Sequence, residues 1–93
     1  MLVNRRTFIP KRGKMDEAVA FLKEALKDWP HTTRVYSSDL GQFDNFAVEM
    51  EFESLGEYER AWKEAVATPN PEWWEKWFSL TENGGTNEIW QLR

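Results

Sequence analysis

From Asn45 to Glu53 the chain alternates without a break, Phe46, Val48, Met50 and Phe52 on one set of positions and Ala47, Glu49, Glu51 and Glu53 on the other. A strand turns successive side chains to opposite faces, so this pattern requires a sheet with one apolar face to be covered and one face rich in carboxylate. Between Lys14 and Asp28, Met15, Val19, Leu22, Leu26 and Trp29 recur at spacings of three and four with Ala18 and Ala25 beside them, the stripe of an amphipathic helix. Asp16 and Glu17 sit in its first turn, where the helix dipole favours negative charge, and Pro30 ends it. A one-sided sheet and a one-sided helix can bury their apolar surfaces against each other, which points to an α+β domain.

The rest of the chain extends that pattern. Leu2 to Ile9 reads as a strand closed by Pro10 and Gly13, with Leu2, Asn4, Arg6 and Phe8 on one face and Val3, Arg5, Thr7 and Ile9 on the other. Neither face is wholly apolar, so at least one polar side chain of this strand is expected in a pocket or an interface. Thr32 to Ser38 reads as a second strand, joined through a turn at Asp39-Leu40-Gly41-Gln42 to the strand Asn45 to Glu53. The carboxylates of that strand meet solvent, or they meet Arg5, Arg34 or Arg93 on neighbouring strands.

Ser54 with Glu57 three residues later forms a capping-box pattern, and Tyr58, Ala61, Trp62, Ala65 and Val66 behind it make a second helical stripe that stops at Pro69. Asn70-Pro71-Glu72 then supplies a cap, a first-position proline and an acidic first turn for a short third helix, Glu72 to about Leu80. Asn83-Gly84-Gly85 breaks it, and Asn87 to Arg93 alternates as a last strand, Ile89 and Gln91 opposite Glu88, Trp90 and Leu92. The order is strand, helix, strand, strand, helix, strand with a short extra helix before the end, which is the ferredoxin-like βαββαβ pattern over a single domain, residues 1–93. Its helices cover one face of a four-stranded antiparallel sheet. A second copy of the chain is the simplest cover for the other, so a homodimer is expected.

Composition narrows the function. A chain of 93 residues buries only roughly 60 to 68% of the surface it exposes unfolded, so its core margin is thin. Six Trp, six Phe and two Tyr offset this, because each ring can bury about 150 to 250 Å². The lack of Cys excludes a disulfide framework, a Cys-ligated zinc and thiol catalysis. No stretch approaches the roughly 20 apolar residues of a membrane span, and Met1 runs into Arg5 and Arg6 with no signal-like apolar segment, so a cytoplasmic location is expected. A net charge of -4 with scattered Lys and Arg would repel a phosphate backbone, which argues against nucleic acid as a partner.

Several segments together resemble the NIPSNAP-like branch of the dimeric α/β-barrel superfamily. These are the element order, the Pro10-Lys11-Arg12-Gly13-Lys14 loop, the Asp39-Leu40-Gly41 turn, the Phe52-Glu53-Ser54-Leu55 helix entry and the Pro71-Glu72-Trp73 segment. The similarity spans nearly the whole chain, although two residues separate Pro10 from Gly13 where that family commonly has Pro-Gly directly. The resemblance implies two subunits whose sheets face each other as a barrel, each keeping a cleft between sheet and helices. Relatives include cofactor-independent monooxygenases, haem-degrading enzymes and proteins without known activity, so the fold underdetermines the function.

Asn4 and Trp62 match two positions of the Asn, Trp and His set of the haem-degrading relatives. The third is missing, because residues 67–80 contain no His. His31, the one His, falls in the turn leaving the first helix and reads as a solvated turn residue. Haem degradation is therefore disfavoured, and no cofactor is expected. An aromatic-walled cleft is the better candidate site, with Trp62, Trp73, Trp74, Trp77 and Phe78 as walls and Asn4, Arg6 and Tyr58 as its polar groups. Against it stands the reading that two or three of these Trp residues are core, that another seals a dimer contact, and that Arg6 pairs with a helix carboxylate.

Glu49, Glu51 and Glu53 lie about 6.5 to 7 Å apart along one strand face, too far for a shared ion without other ligands, and no metal site is expected. Neither a Gly-rich phosphate loop nor a Ser-His-Asp set is present. Two functions stay open: a protein binding a small aromatic or hydrophobic molecule, with cofactor-independent oxygenation among the reactions the resemblance allows, and a non-enzymatic homodimeric interaction module. A cleft of roughly 300 Å³ or more between sheet and helices separates them.

Overall fold

A computed structural model describes residues 1–40 and 44–93. Its elements follow the expected order: β1 (Leu2–Phe8), α1 (Met15–Leu26), β2 (Thr33–Ser37), β3 (Phe46–Phe52), α2 (Leu55–Ala65), α3 (Pro71–Leu80) and β4 (Thr86–Gln91). The turn expected at Asp39–Gln42 runs into residues 41–43, outside the described residues. All pairings in the sheet are antiparallel and the strand order is β2-β3-β1-β4, so β1 and β3 are central and β2 and β4 are edges.

The β3 alternation sets the layers. Phe46, Val48, Met50 and Phe52 are buried almost completely under the helices, each fully buried apolar side chain contributing about 1.5 to 3 kcal/mol. Ala18 and Leu22 of α1 and Trp77 and Leu80 of α3 complete the core. In contrast, α2 contains no buried residue and reaches the sheet through the half-buried Tyr58, Ala61 and Trp62.

The helix starts are fixed as the sequence requires. Ser54 Oγ accepts from the Glu57 backbone N–H at 3.2 Å, and Glu57 reaches back to accept from the Glu53 N–H, a complete capping box. Asn70 caps α3 by accepting from the Trp73 N–H at 3.3 Å, with Pro71 in the first turn. The end of α3 is tied to the end of β1 by Lys11 N–H to Leu80 O and Glu82 N–H to Ile9 O. Gly85 then brings the chain back against β1 with φ at 98°, and a Cβ there would stand 2.0 Å from the Thr7 carbonyl oxygen. Only glycine permits that approach and that backbone together.

Candidate functional site: an arginine set in a tryptophan cleft

The β1 alternation turns Leu2, Asn4, Arg6 and Phe8 toward the helices, which places two polar side chains beneath them. Asn4 is wholly buried. Its Nδ2 donates to Asn87 Oδ1 at 2.7 Å and to the Glu88 carbonyl at 2.9 Å, both on β4, and this fixes which end of the amide faces Arg6. The Asn4 Oδ1 accepts from Arg6 Nε at 3.1 Å. Arg6 Nη2 reaches the Tyr58 hydroxyl at 3.3 Å, and its guanidinium carbon lies 3.9 Å from the centre of the Trp62 ring. Tyr58 and Trp62 are one helical turn apart on α2, so a single face of that helix supplies both contacts.

Arg6 lines a cavity of about 140 Å³ whose other walls include Trp62, Trp73, Trp74 and Trp77 from α2 and α3, Leu22 and Leu26 from α1, and Val48 and Met50 from β3. It falls short of the roughly 300 Å³ set above to separate the two functions, so a ligand of the size first expected does not fit this cleft. An apolar cavity of about 150 Å³ nonetheless accepts benzene, so this one has the volume of a single ring. Of the residues expected to form the cleft, Arg6, Trp62, Trp73, Trp74 and Trp77 come together in its wall. Asn4 and Tyr58 stand behind Arg6 and orient it. Phe78 is elsewhere, 61% exposed beside a separate groove with Lys11, Thr81 and Glu82.

Two aromatic clusters flank the cavity. On one side Trp77 packs edge-on against Phe8 and Phe46, with ring centres 5.0 and 5.9 Å apart, and stacks with Trp73 at 5.7 Å. On the other, Trp62, Trp29, His31, Phe52 and Tyr58 form a closed ring of neighbours, each pair between 4.5 and 6.4 Å. The expectation for His31 is corrected here. It is half-buried, its ring lies 4.5 Å from that of Phe52, and its Nδ1 is 3.4 Å from Glu57 Oε1. Proline 30 turns the chain back under α2, so the residue after it enters an aromatic layer instead of solvent. The indole N–H groups of Trp29 and Trp62 are buried with no hydrogen-bond partner among the described residues.

The expectation that Arg6 pairs with a helix carboxylate is also corrected. Its partners are neutral, and among the described residues no carboxylate lies within 4 Å of it. The open face of the sheet behaves differently. There Arg5 holds Glu49 at 2.6 Å and Arg34 holds Glu51 at 2.7 Å, whereas Glu53 is exposed, so two of the three carboxylates take the arginine-paired alternative and the third faces solvent. The hydrogen bond that Arg34 donates to Glu51 raises the Arg34 pKa, and the Tyr36 hydroxyl, donating to Glu49, is raised above its usual value chiefly by that bond. Across the strands Arg34, Glu49, Arg5 and Glu88 stand in register, a row of alternating charge. Among the described residues no helix is long and apolar enough to cross a membrane.

The sequence pattern identified the tryptophans and the β1 polar pair. It did not single out Leu22, Leu26, Val48 or Met50 as cavity wall, because core positions and lining positions share the same apolar periodicity.

No protein-family model matches the chain, and no curated protein matches it in sequence. Among solved structures it is similar to an uncharacterized NIPSNAP-like domain protein from Burkholderia xenovorans, with a TM-score of 0.83 at 16% identity, covering 99% of this chain and 84% of that one. A NIPSNAP family protein from Agrobacterium tumefaciens gives a TM-score of 0.74 at 17% identity, covering 97% and 90%. A third structure, an antibiotic biosynthesis monooxygenase, gives 0.68 at 14% identity, covering 100% and 99%. The resemblance seen in the sequence and the arrangement in space therefore agree, and the chain has the ferredoxin-like α+β fold of the NIPSNAP domain proteins.

Proposed function

We propose that this chain binds a small aromatic or hydrophobic molecule in the cleft between the sheet and its helices, and that it does so as a homodimer. The single observation that carries the binding is the apolar cavity of about 140 Å³ walled by four tryptophans with Arg6 set into it. Its volume limits the ligand to about one ring in this conformation; a polycyclic ligand would need α2 to move aside.

Oxygenation without a cofactor is the finer form of this proposal. That chemistry needs an electron-rich ring held near a cation in a site closed to water. The fold shared with an antibiotic biosynthesis monooxygenase makes it worth testing. Titration with phenol is expected to quench or shift the tryptophan emission, and dioxygen uptake would then report turnover. An emission spectrum unchanged up to millimolar phenol, toluene and benzoate alike would overturn the binding proposal.

Self-association is supported by the open sheet face, where the alternating row of Arg34, Glu49, Arg5 and Glu88 runs beside Trp90, which is 57% exposed. A two-fold axis brings the same patch to itself, and alternating charge can be self-complementary under that operation. Sedimentation equilibrium is expected to give a dimer that Arg5→Glu or Trp90→Ala weakens. A wild-type monomer at micromolar concentration would remove this part of the proposal and leave the cleft untouched.

A further inference from the structure

We infer that the ligand of the cleft is an anion, a single aromatic ring bearing a carboxylate, and that Arg6 is the residue that receives its charge. The inference rests on the binding proposal above and adds the chemical class.

The argument begins with how the arginines of the sheet are compensated. Arg5 and Arg34, on the open face, have side chains 40% and 49% exposed, and each nevertheless holds a glutamate. Arg6, part-buried on the covered face, holds none among the described residues. Water compensates the exposed Arg12, Arg60 and Arg93. A half-buried cation lacks that recourse, so the cost of desolvating it is greatest where the protein supplies no counter-charge.

The hydrogen bonds that Arg6 does make are those of orientation. A guanidinium carries five N–H donors; Nε is taken by Asn4 Oδ1 and one Nη2 hydrogen by the Tyr58 hydroxyl. Nη1 and the second Nη2 hydrogen have no protein acceptor among the described residues. Those two groups form the end-on edge of the guanidinium, which matches the two oxygens of a carboxylate. The guanidinium is held against the Trp62 ring and Asn4 is locked by β4, so the edge is presented at little cost in side-chain entropy. The rest of the wall is tryptophan, phenylalanine, leucine, valine and methionine, which suits an aromatic body and offers a second charge nothing. A phosphorylated or dianionic ligand is therefore disfavoured in the same cavity.

The test compares benzoate with benzamide, a neutral molecule of nearly the same shape, by tryptophan fluorescence and calorimetry on the wild-type protein. Benzoate is expected to bind at least about tenfold more tightly than benzamide, the scale of one charge-assisted hydrogen bond. Arg6→Gln keeps a polar side chain and should lower benzoate affinity more than benzamide affinity, closing the gap between the two probes. Equal wild-type affinity for the two probes would overturn the inference and leave the binding proposal standing. Failure of both probes to bind would overturn the inference, and the binding proposal falls with it only where phenol and toluene also leave the emission unchanged. The wild-type comparison needs no variant, so the inference can be refuted even if Arg6→Gln does not fold.

Discussion

The two aromatic clusters on either side of the cavity use the same residue types for opposite ends. Around Trp77 the rings are core: Trp77 is 7% exposed, Phe46 is 1% exposed, and Ala18, Leu22 and Leu80 close in from α1 and α3. Around Trp62 the rings form a loop under α2, a helix with no buried residue, and two of them carry unpaired indole N–H groups. Among the described residues, the first cluster holds no buried polar side-chain atom without a partner. The other does, and it is the one that carries Arg6. A domain this small must place most of its apolar surface in a fixed core, and the part left incompletely satisfied is where a ligand gains most by binding.

The comparison is broken most severely by truncation. Trp77→Ala should cost about 3 to 5 kcal/mol in chemical denaturation, the range for a buried aromatic ring. Trp62→Ala should cost about 1 to 2 kcal/mol, because its ring is half-buried and an orphaned donor leaves with it. Equal losses would show that the two clusters do not differ as described. Next in size is Ser54→Ala, which removes the cap of α2 and about 1 kcal/mol of helix stability. Because α2 is attached only through half-buried rings, hydrogen exchange should speed up in its amides and not in those of α1. A uniform change across both helices would contradict the claim that α2 opens separately.

Tyr58→Phe is a gentler probe of the same side. It removes the hydroxyl that accepts from Arg6 Nη2 at 3.3 Å and keeps the ring, so stability should move by no more than about 0.5 kcal/mol. Benzoate affinity should fall a few-fold, since Arg6 is less firmly aimed. The smallest effect lies on the core side, where Lys76 of α3 bonds Glu17 of α1 at 3.1 Å. That bond, with further attraction from Lys14 and Lys76, lowers the Glu17 pKa. The folded value is depressed, so the contribution is present above the ordinary carboxylate range and is lost as pH falls through the lowered folded value. Glu17→Gln should slightly flatten the acid side of the stability profile at low salt and have no measurable effect at high salt.

Much of the fold could be read from the sequence because its signals are local. The β3 alternation, the capping box at Ser54 and Glu57 and the Asn70-Pro71 start each lie within a few residues and leave little choice of element. The cleft was legible in its tryptophans and in the placing of Asn4 and Arg6 on the covered face of β1. What could not be read depends on distant pairings. The bond from Asn4 to Asn87 joins residues 83 apart, His31 enters the aromatic layer through Glu57 and Phe52, and nothing local in sequence says whether Arg6 will find a carboxylate. Phe78 and Trp74 share a helix but face different hollows, a separation that depends on how α3 is rotated over the sheet.

The bond between Asn4 and β4 has a consequence for how the domain closes. β4 is an edge strand, exposed along most of its length, and an edge strand is free to slip in register. A slip of one residue would carry Asn87 and the Glu88 carbonyl away from Asn4 and turn their side-chain pattern to the opposite face. The Asn4 amide would then lose both acceptors, and nothing would hold its oxygen toward Arg6. The cleft is therefore sensitive to the register of its edge strand, because only the pairing that sets Asn87 and the Glu88 carbonyl beside Asn4 keeps the Asn4 oxygen turned to Arg6.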